Sequence, residues 1–225
     1  MLSGSKGVTP RSLNFLQKRG KVKFLFDMDG TLTARETLPM IAAHFGVQAP
    51  VADATIAAVT GREPFDQSLR QRVAALGHLP VDEVSRLVTT VPLHRLIVDF
   101  VNSHRDQCAI VTSNLDCWCD ALMRKMGCEA FCSRAQITGN HVIGITELLH
   151  KEDVVDAYKA DSREMVVFVG DGHNDLAAMC HADVAVAVGF LPGTPAASLA
   201  AVADHIFTTE KELCVALEVM AAGDL

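Results

Sequence analysis

An apolar run, Val22, Phe24, Leu25 and Phe26, stops at Asp27-Met28-Asp29-Gly30-Thr31, and similar runs return at 108–112, 165–169 and 184–188. Runs of this length, cut off by Gly or polar residues, read as buried strands. Helical patterns lie between and after them, at 116–126, 151–160 and 176–180, with a last helix at 210–221 behind a short strand at 205–207. Strands alternating with helices need crossovers, and crossovers give a parallel sheet covered on both faces. The expected fold class is therefore α/β: a Rossmann-like three-layer α/β/α core around a parallel sheet. One hairpin departs from this pattern, with strands at 135–138 and 141–145 split by Gly139-Asn140, a turn that starts on Gly.

Between about Glu36 and Val91 no strand pattern appears. Leu38 to Phe45 carries helical spacing and Val51 to Val59 is Ala-rich. Phe65, Leu69, Val73 and Leu76 form a stripe, and Val81 to Val88 follows Pro80. An all-helical insertion directly after the first strand would cover the C-terminal edge of the sheet. The expected division is an N-terminal extension at 1–20, a core at 21–33 and 92–225, and a small helical cap at 34–91. Residues 1–20 are basic and polar around Leu13, Phe15 and Leu16, and read equally as a packed helix or a frayed tail.

Side chains alternate along a strand, so Asp27 and Asp29 should face one crevice while Met28 points back. In open parallel sheets ligands bind beyond the carboxyl ends of the strands. Neighbouring carboxylates repel unless a cation neutralises them, and Mg²⁺ is the usual hard, oxygen-liganded solution. The plain alternative is an acidic turn, since Asp also caps helices and forms turns. Later strand ends add Thr112, Ser113 and Asn114, then Lys151 on the next helix, then Asp171, Asn174 and Asp175. This set suits phosphoryl transfer: one carboxylate attacks phosphorus, a second moves a proton, a hydroxyl and a lysine hold the developing charge, and the remaining acids hold a metal.

The formal charge of −7 argues against broad nucleic-acid or anionic-membrane binding, and makes any attraction for an anionic substrate local. No apolar run is long enough for a membrane helix and no signal-peptide core opens the chain, so a cytoplasmic location is the expectation. The seven cysteines, an odd number, show no secreted-domain framework, and Cys117-Trp118-Cys119 with Cys128 and Cys132 lacks the paired spacing of a zinc site. Reduced thiols are expected.

The four elements Asp27-x-Asp29-Gly30-Thr31, Thr112, Lys151 and Gly170-Asp171-Gly172-x-Asn174-Asp175 resemble, in order, the four motifs of the haloacid-dehalogenase superfamily of phosphohydrolases. The resemblance runs from about Lys21 to the C-terminus. Within the superfamily the chain is most similar to phosphoserine phosphatases, through Arg35-Glu36-Thr37 and the string from Phe65 to Val73. The resemblance implies an aspartyl-phosphate on Asp27 and proton transfer by Asp29. It places Mg²⁺ on the Asp27 carboxylate, the Asp29 backbone carbonyl and Asp171, with Asp175 behind. Thr112 and Lys151 would hold the phosphoryl oxygens, with Asn174 orienting the loop. Glu36 would hold a substrate amine, Arg72 its carboxylate, and Phe65 would close over it.

Two positions depart from that family. Thr112-Ser113-Asn114 replaces the usual Ser-Gly-Gly, adding side chains where bare backbone meets the substrate, and Val59 stands where a Met usually precedes the cap glycine. His173 falls inside the fourth motif at a tolerant position and is given no chemistry. His44, His78 and His181 read as surface or satisfied helix histidines. The first expectation is a phosphoserine phosphatase. The second is a phosphatase or phosphotransferase for another small phosphorylated metabolite, and the third a non-catalytic phosphate-binding module.

Overall fold

The computed structural model describes residues 21–48, 51, 63–161, 164–191 and 193–223. The N-terminal extension, Val59 and most of the Ala-rich helix expected after Val51 lie outside the described residues.

The described strands are β1 (Val22–Phe26), β2 (Cys108–Leu115), β3 (Glu129–Thr138), β4 (His141–Glu147), β5 (Met165–Gly170), β6 (Val184–Val188) and β7 (His205–Phe207). They form one sheet in the order β4-β3-β2-β1-β5-β6-β7, parallel throughout except for the antiparallel β3–β4 hairpin at one edge. The order reverses at β1, whose neighbours are β2 on one side and β5 on the other. A crevice for ligands opens at such a switch point, beyond the strand ends.

Period-two alternation sorts the strand residues into two apolar layers. Phe24, Phe26, Ile110, Val167 and Val169 share one cluster with α4 (Arg95–Ser103), α5 (Asp116–Met126) and α9 (Glu210–Ala221). Leu25, Ala109, Val111, Val166 and Phe168 share the other with α6 (Lys151–Asp161), α7 (Leu176–His181) and the short α8 (Ala197–Ala200). This is the expected three-layer arrangement. Met28 is buried on the Phe24 side, as alternation requires, which leaves Asp27 and Asp29 to the crevice.

Between β1 and β2 the described elements are all helical: α1 (Thr37–His44), α2 (Phe65–Leu76), α3 (Val81–Val88) and then α4. Their entry and exit are tied together. Thr33 bridges Leu93, the Ala34 amide donates to Pro92 O at 2.7 Å, and the His94 amide donates to Leu32 O at 2.9 Å. Leu38, Ile41, Leu69, Val73 and Val84 join the same cluster as Trp118 and Leu122, so the described residues of this segment share one core with the sheet's helices. Among the described residues no helix is long and apolar enough to cross a membrane.

Several elements exceed the sequence reading, among them α8, for which no helix is expected between β6 and β7, and β2, which runs three residues past Thr112. α4 was not anticipated, although Ile97, Phe100 and Val101 carry helical spacing. β3 starts six residues before Ala135, because its first half pairs with β2 and only its second half pairs with β4.

Candidate active site

β1 ends at Phe26, and Asp27 follows with its amide on Val169 O at 2.9 Å, which brings the first carboxylate against the end of β5. Gly30 then turns at φ +75°, a conformation that favours glycine. A Cβ there would sit 2.1 Å from Asp171 Oδ2, so the turn also lets the fourth-motif acid approach the first.

Lys151 opens α6 and is buried at 2% exposure, although a lysine at a helix start is usually solvated. Its Nζ donates to Asp27 Oδ1 at 2.5 Å and to Asp175 Oδ1 at 2.6 Å. Burial alone would lower its pKa, but the Asp175 and Asp27 carboxylates outweigh that and raise it, so it is a fixed cation. The other oxygen of Asp175 accepts from the Asp171 and Gly172 amides, both at 3.1 Å, which holds the fourth-motif loop around it.

Asp27, Asp171 and Asp175 present carboxylate oxygens within 4.8 Å of one another. Burial, then the Asp175 charge, pushes Asp27 well above the usual carboxylate range; burial, then Asp27 and Asp175, does the same to Asp171. Three carboxylates, buried at Asp27 and Asp175 and half-buried at Asp171, share one ammonium, a deficit of two positive charges. Hard oxygen donors short of two charges fit a divalent cation of the Mg²⁺ kind. The Asp29 side chain is not in this group.

Asp29 instead serves the start of α1. Its Oδ1 accepts from the Thr37 amide at 3.0 Å, and its Oδ2 lies 3.0 Å from Thr37 Oγ1 and 3.3 Å from Asn114 Nδ2. The carboxylate thereby meets the positive end of the helix. Burial still raises its pKa, partly offset by those donors.

The Thr112-Ser113-Asn114 segment reaches the site through a break in the ladder. Thr112 pairs with Cys132 and Leu115 with Ser133, so the ladder register to β3 skips Ser113 and Asn114. Such irregularities re-aim side chains at the ends of strands. All three residues line the cleft, but the Ser113 hydroxyl donates away from it, to Leu149 O at 3.1 Å.

The cleft has a volume of about 960 Å³ and is lined by every candidate site residue expected from the sequence except the buried Asp175. Phe65 and Arg72 line it from α2, Glu36 from the start of α1, and Asn174 from the fourth-motif loop. Arg72 is 6% exposed, with its guanidinium 5.9 Å from the Phe65 ring centre and its Nε on Ser68 O at 3.3 Å. Burial lowers its pKa and the nearby Glu36 opposes that shift. Burial, then Asp29, raises Glu36 to about 7, against the pull of Arg72.

Sequence reasoning missed the loop after β6. Leu191, Thr194 and Pro195 of this loop line the cleft with Ser198 of α8, and His173 Nδ1 lies 2.9 Å from Ser198 Oγ. The available signal was a Gly/Pro-rich stretch, Gly189 to Pro195, directly beyond a parallel strand. Thr37 was quoted for its neighbours only, yet it carries two contacts to Asp29.

The family model for haloacid dehalogenase-like hydrolases matches residues 24–179. The chain belongs to this family. Among curated proteins, it is 28% identical over 184 residues to the phosphoserine phosphatase of Methanocaldococcus jannaschii, covering 76% of this chain and 87% of that one. It is 29% identical over 189 residues to that of Streptomyces coelicolor, covering 79% of this chain and 46% of the relative. With the Archaeoglobus fulgidus phosphoserine phosphatase, 30% identical over 169 residues, the shares are 70% and 49%. The chain thus spans about half the length of the latter two relatives. Among solved structures, a phospho-aspartyl intermediate analogue of phosphoserine phosphatase superposes with a TM-score of 0.75 at 25% identity, covering 88% of this haloacid dehalogenase-like chain and 99% of the other. A substrate-bound phosphoserine phosphatase complex, at 24% identity and a TM-score of 0.76, shares the fold over the same proportions.

Proposed function

We propose that this chain is a phosphoserine phosphatase, hydrolysing O-phosphoserine to serine and phosphate through an aspartyl-phosphate on Asp27. The observation that carries the reading is the layout of one cleft. Asp27, paired with Lys151, lines it together with Asp29, and so do Glu36 and Arg72 from the helical segment. With the phosphate at Asp27 and Lys151, Glu36 would take the serine ammonium and the planar fork of Arg72 its carboxylate.

In this mechanism Asp27 attacks phosphorus in line and Asp29 gives a proton to the departing serine oxygen. Asp29 then takes a proton from water, whose oxygen attacks phosphorus and frees Asp27. Lys151 and Thr112 hold phosphoryl oxygens as charge develops, and Asn174 orients the loop. Asp27, Asp171 and the Asp29 carbonyl are the proposed ligands of Mg²⁺, with Asp175 behind them; when bound, the ion neutralises the acids and polarises the phosphoryl group. The segment 34–91 is proposed as a cap whose closure excludes water from the cleft while substrate is bound. The described cysteines are free thiols, which suits a reducing, cytoplasmic setting.

A second reading, another small phosphomonoester, draws support from Leu38, Leu69 and Leu191 along the cleft, since they would suit a larger apolar body than serine. Phosphate release from a panel of phosphomonoesters separates the two. Phosphoserine should lead, Asp27→Asn should be inert, and Arg72→Ala should lose phosphoserine turnover selectively. Turnover of phosphoserine untouched by Arg72→Ala would reject the first reading, and an active Asp27→Asn would reject the chemistry.

A further inference from the structure

Asn114 stands where the resembling family leaves bare backbone, yet it is built into the site rather than hanging into it. It is 5% exposed, and every polar atom of its side chain is engaged. Oδ1 accepts from the Leu115 amide at 2.8 Å, which fixes the orientation of the side-chain amide, because a flipped amide would set N–H against N–H. Nδ2 therefore faces Thr37 Oγ1 at 2.6 Å and Asp29 Oδ2 at 3.3 Å. The backbone amide of Asn114 donates to Thr112 Oγ1 at 3.2 Å, which anchors the residue to the preceding strand end.

The hydrogen bonds have only one consistent direction. Thr37 Oγ1 accepts from Asn114, so its own proton points to Asp29 Oδ2, 3.0 Å away. Asp29 Oδ2 then accepts two donors and Asp29 Oδ1 accepts the Thr37 amide at 3.0 Å. Thr33 Oγ1 is 3.5 Å from Oδ1, but its proton has a closer acceptor in Arg35 O at 2.7 Å. A carboxylate has about four acceptor positions, and three are filled, all with donors that shut a proton out. The remaining one is on Oδ1.

We propose that Asn114 is a positioning residue for proton transfer. Directly and through Thr37, it saturates Asp29 Oδ2 and so confines the mobile proton to Oδ1. The inference rests on the reading that Asp29 protonates the leaving oxygen. It follows that Asn114 should matter in proportion to the proton demand of the leaving group, and not to substrate size or charge.

The test uses phosphate esters that lack both amine and carboxylate, so that Glu36 and Arg72 play no part: ethyl, trifluoroethyl, phenyl and p-nitrophenyl phosphate. For the wild type, Asn114→Ala, Thr37→Val, the double variant and Asp29→Asn, kcat/KM is plotted against leaving-group pKa. Asn114→Ala should steepen the dependence, losing at least ~10-fold more on ethyl than on p-nitrophenyl phosphate. Thr37→Val should do the same, and the double variant should lose less than the product of the two singles, because they act on one oxygen. Should Asn114→Ala fail to fold, Thr37→Val alone carries the comparison. Equal losses across the series in these variants, or no loss, would overturn the inference while a steep Asp29→Asn plot leaves the acid assignment standing. A flat Asp29→Asn plot would instead remove the assignment itself.

Discussion

Glu36 caps the start of α1 by position but makes no side-chain capping bond; Asp29 takes the Thr37 amide instead. The Glu36 carboxyl is left facing the cleft, where burial first, and then Asp29, raises its pKa to about 7. The folded chain therefore holds a proton there between the ordinary carboxylate pKa of 4.5 and about 7, and the unfolded chain does not. By linkage, this group makes stability fall as pH rises through that interval. Substrate binding carries the opposite sign, since an ammonium favours ionised Glu36. The KM for phosphoserine should fall as pH rises from 6 to 8, by up to roughly tenfold per unit below 7 and little above it. Ethyl phosphate supplies the control for ionisation of the phosphate itself, whose second pKa is near 6. Subtracting its profile should leave a component that Glu36→Gln abolishes; a component that survives that substitution would mean the amine is read elsewhere.

At the scale of elements, the β3–β4 hairpin ties the helical segment to the sheet. Its tip residue Asn140 accepts from the Val81 amide at 2.8 Å and pairs with Asp82, and the Val142 amide donates to Gly77 O at 2.9 Å. A Cβ on Gly77 would lie 2.3 Å from Val142 O, a backbone atom that has to move if the residue grows. Gly77→Ala should cost about 1–3 kcal/mol by overpacking. Hydrogen exchange should quicken first at Val81 and Val142, and unchanged protection there would show that the hairpin does not hold the segment. None of this was legible in the sequence, because Gly77 reads as the ordinary end of a helix and only the fold brings Val142 to it. What could be read was local. Asp116 to Met126 and Val81 to Val88 came out with the observed ends, because helical periodicity and flanking residues bound them. α4 and the first half of β3 did not. Ser133 is buried as a hydrogen-bond hub between Ser113 O and the Leu149 amide, so no clean apolar alternation marks that strand. The site divides the same way: Asp27, Lys151 and Asp171 announce themselves by motif order, whereas the Asn114–Thr37–Asp29 contacts join residues 77 and 85 positions apart.

For the whole molecule, the acids at the switch point carry a strain that the protein alone does not relieve. Burial and then Asp175 push Asp27 toward the protonated form, and burial and then Asp27 and Asp175 do the same to Asp171, with Lys151 as the cation between Asp27 and Asp175. A divalent cation that binds only the folded arrangement should stabilise it by mass action, about 2.7 kcal/mol at a hundredfold excess over its dissociation constant. For a chain of this length that corresponds to roughly 5–10 °C in Tm. Mg²⁺ should therefore raise Tm above that in NaCl of matched ionic strength, and EDTA should reverse the gain. Because protons and the cation compete for the same raised carboxylates, the increment should be larger at pH 8 than at pH 5. Asp171→Asn should erase the increment while leaving Lys151 paired, and this readout needs no substrate. If Mg²⁺ moved the melting curve of that variant as far as the wild type's, the ion would be bound elsewhere, and the three carboxylates would be held by Lys151 and protons alone.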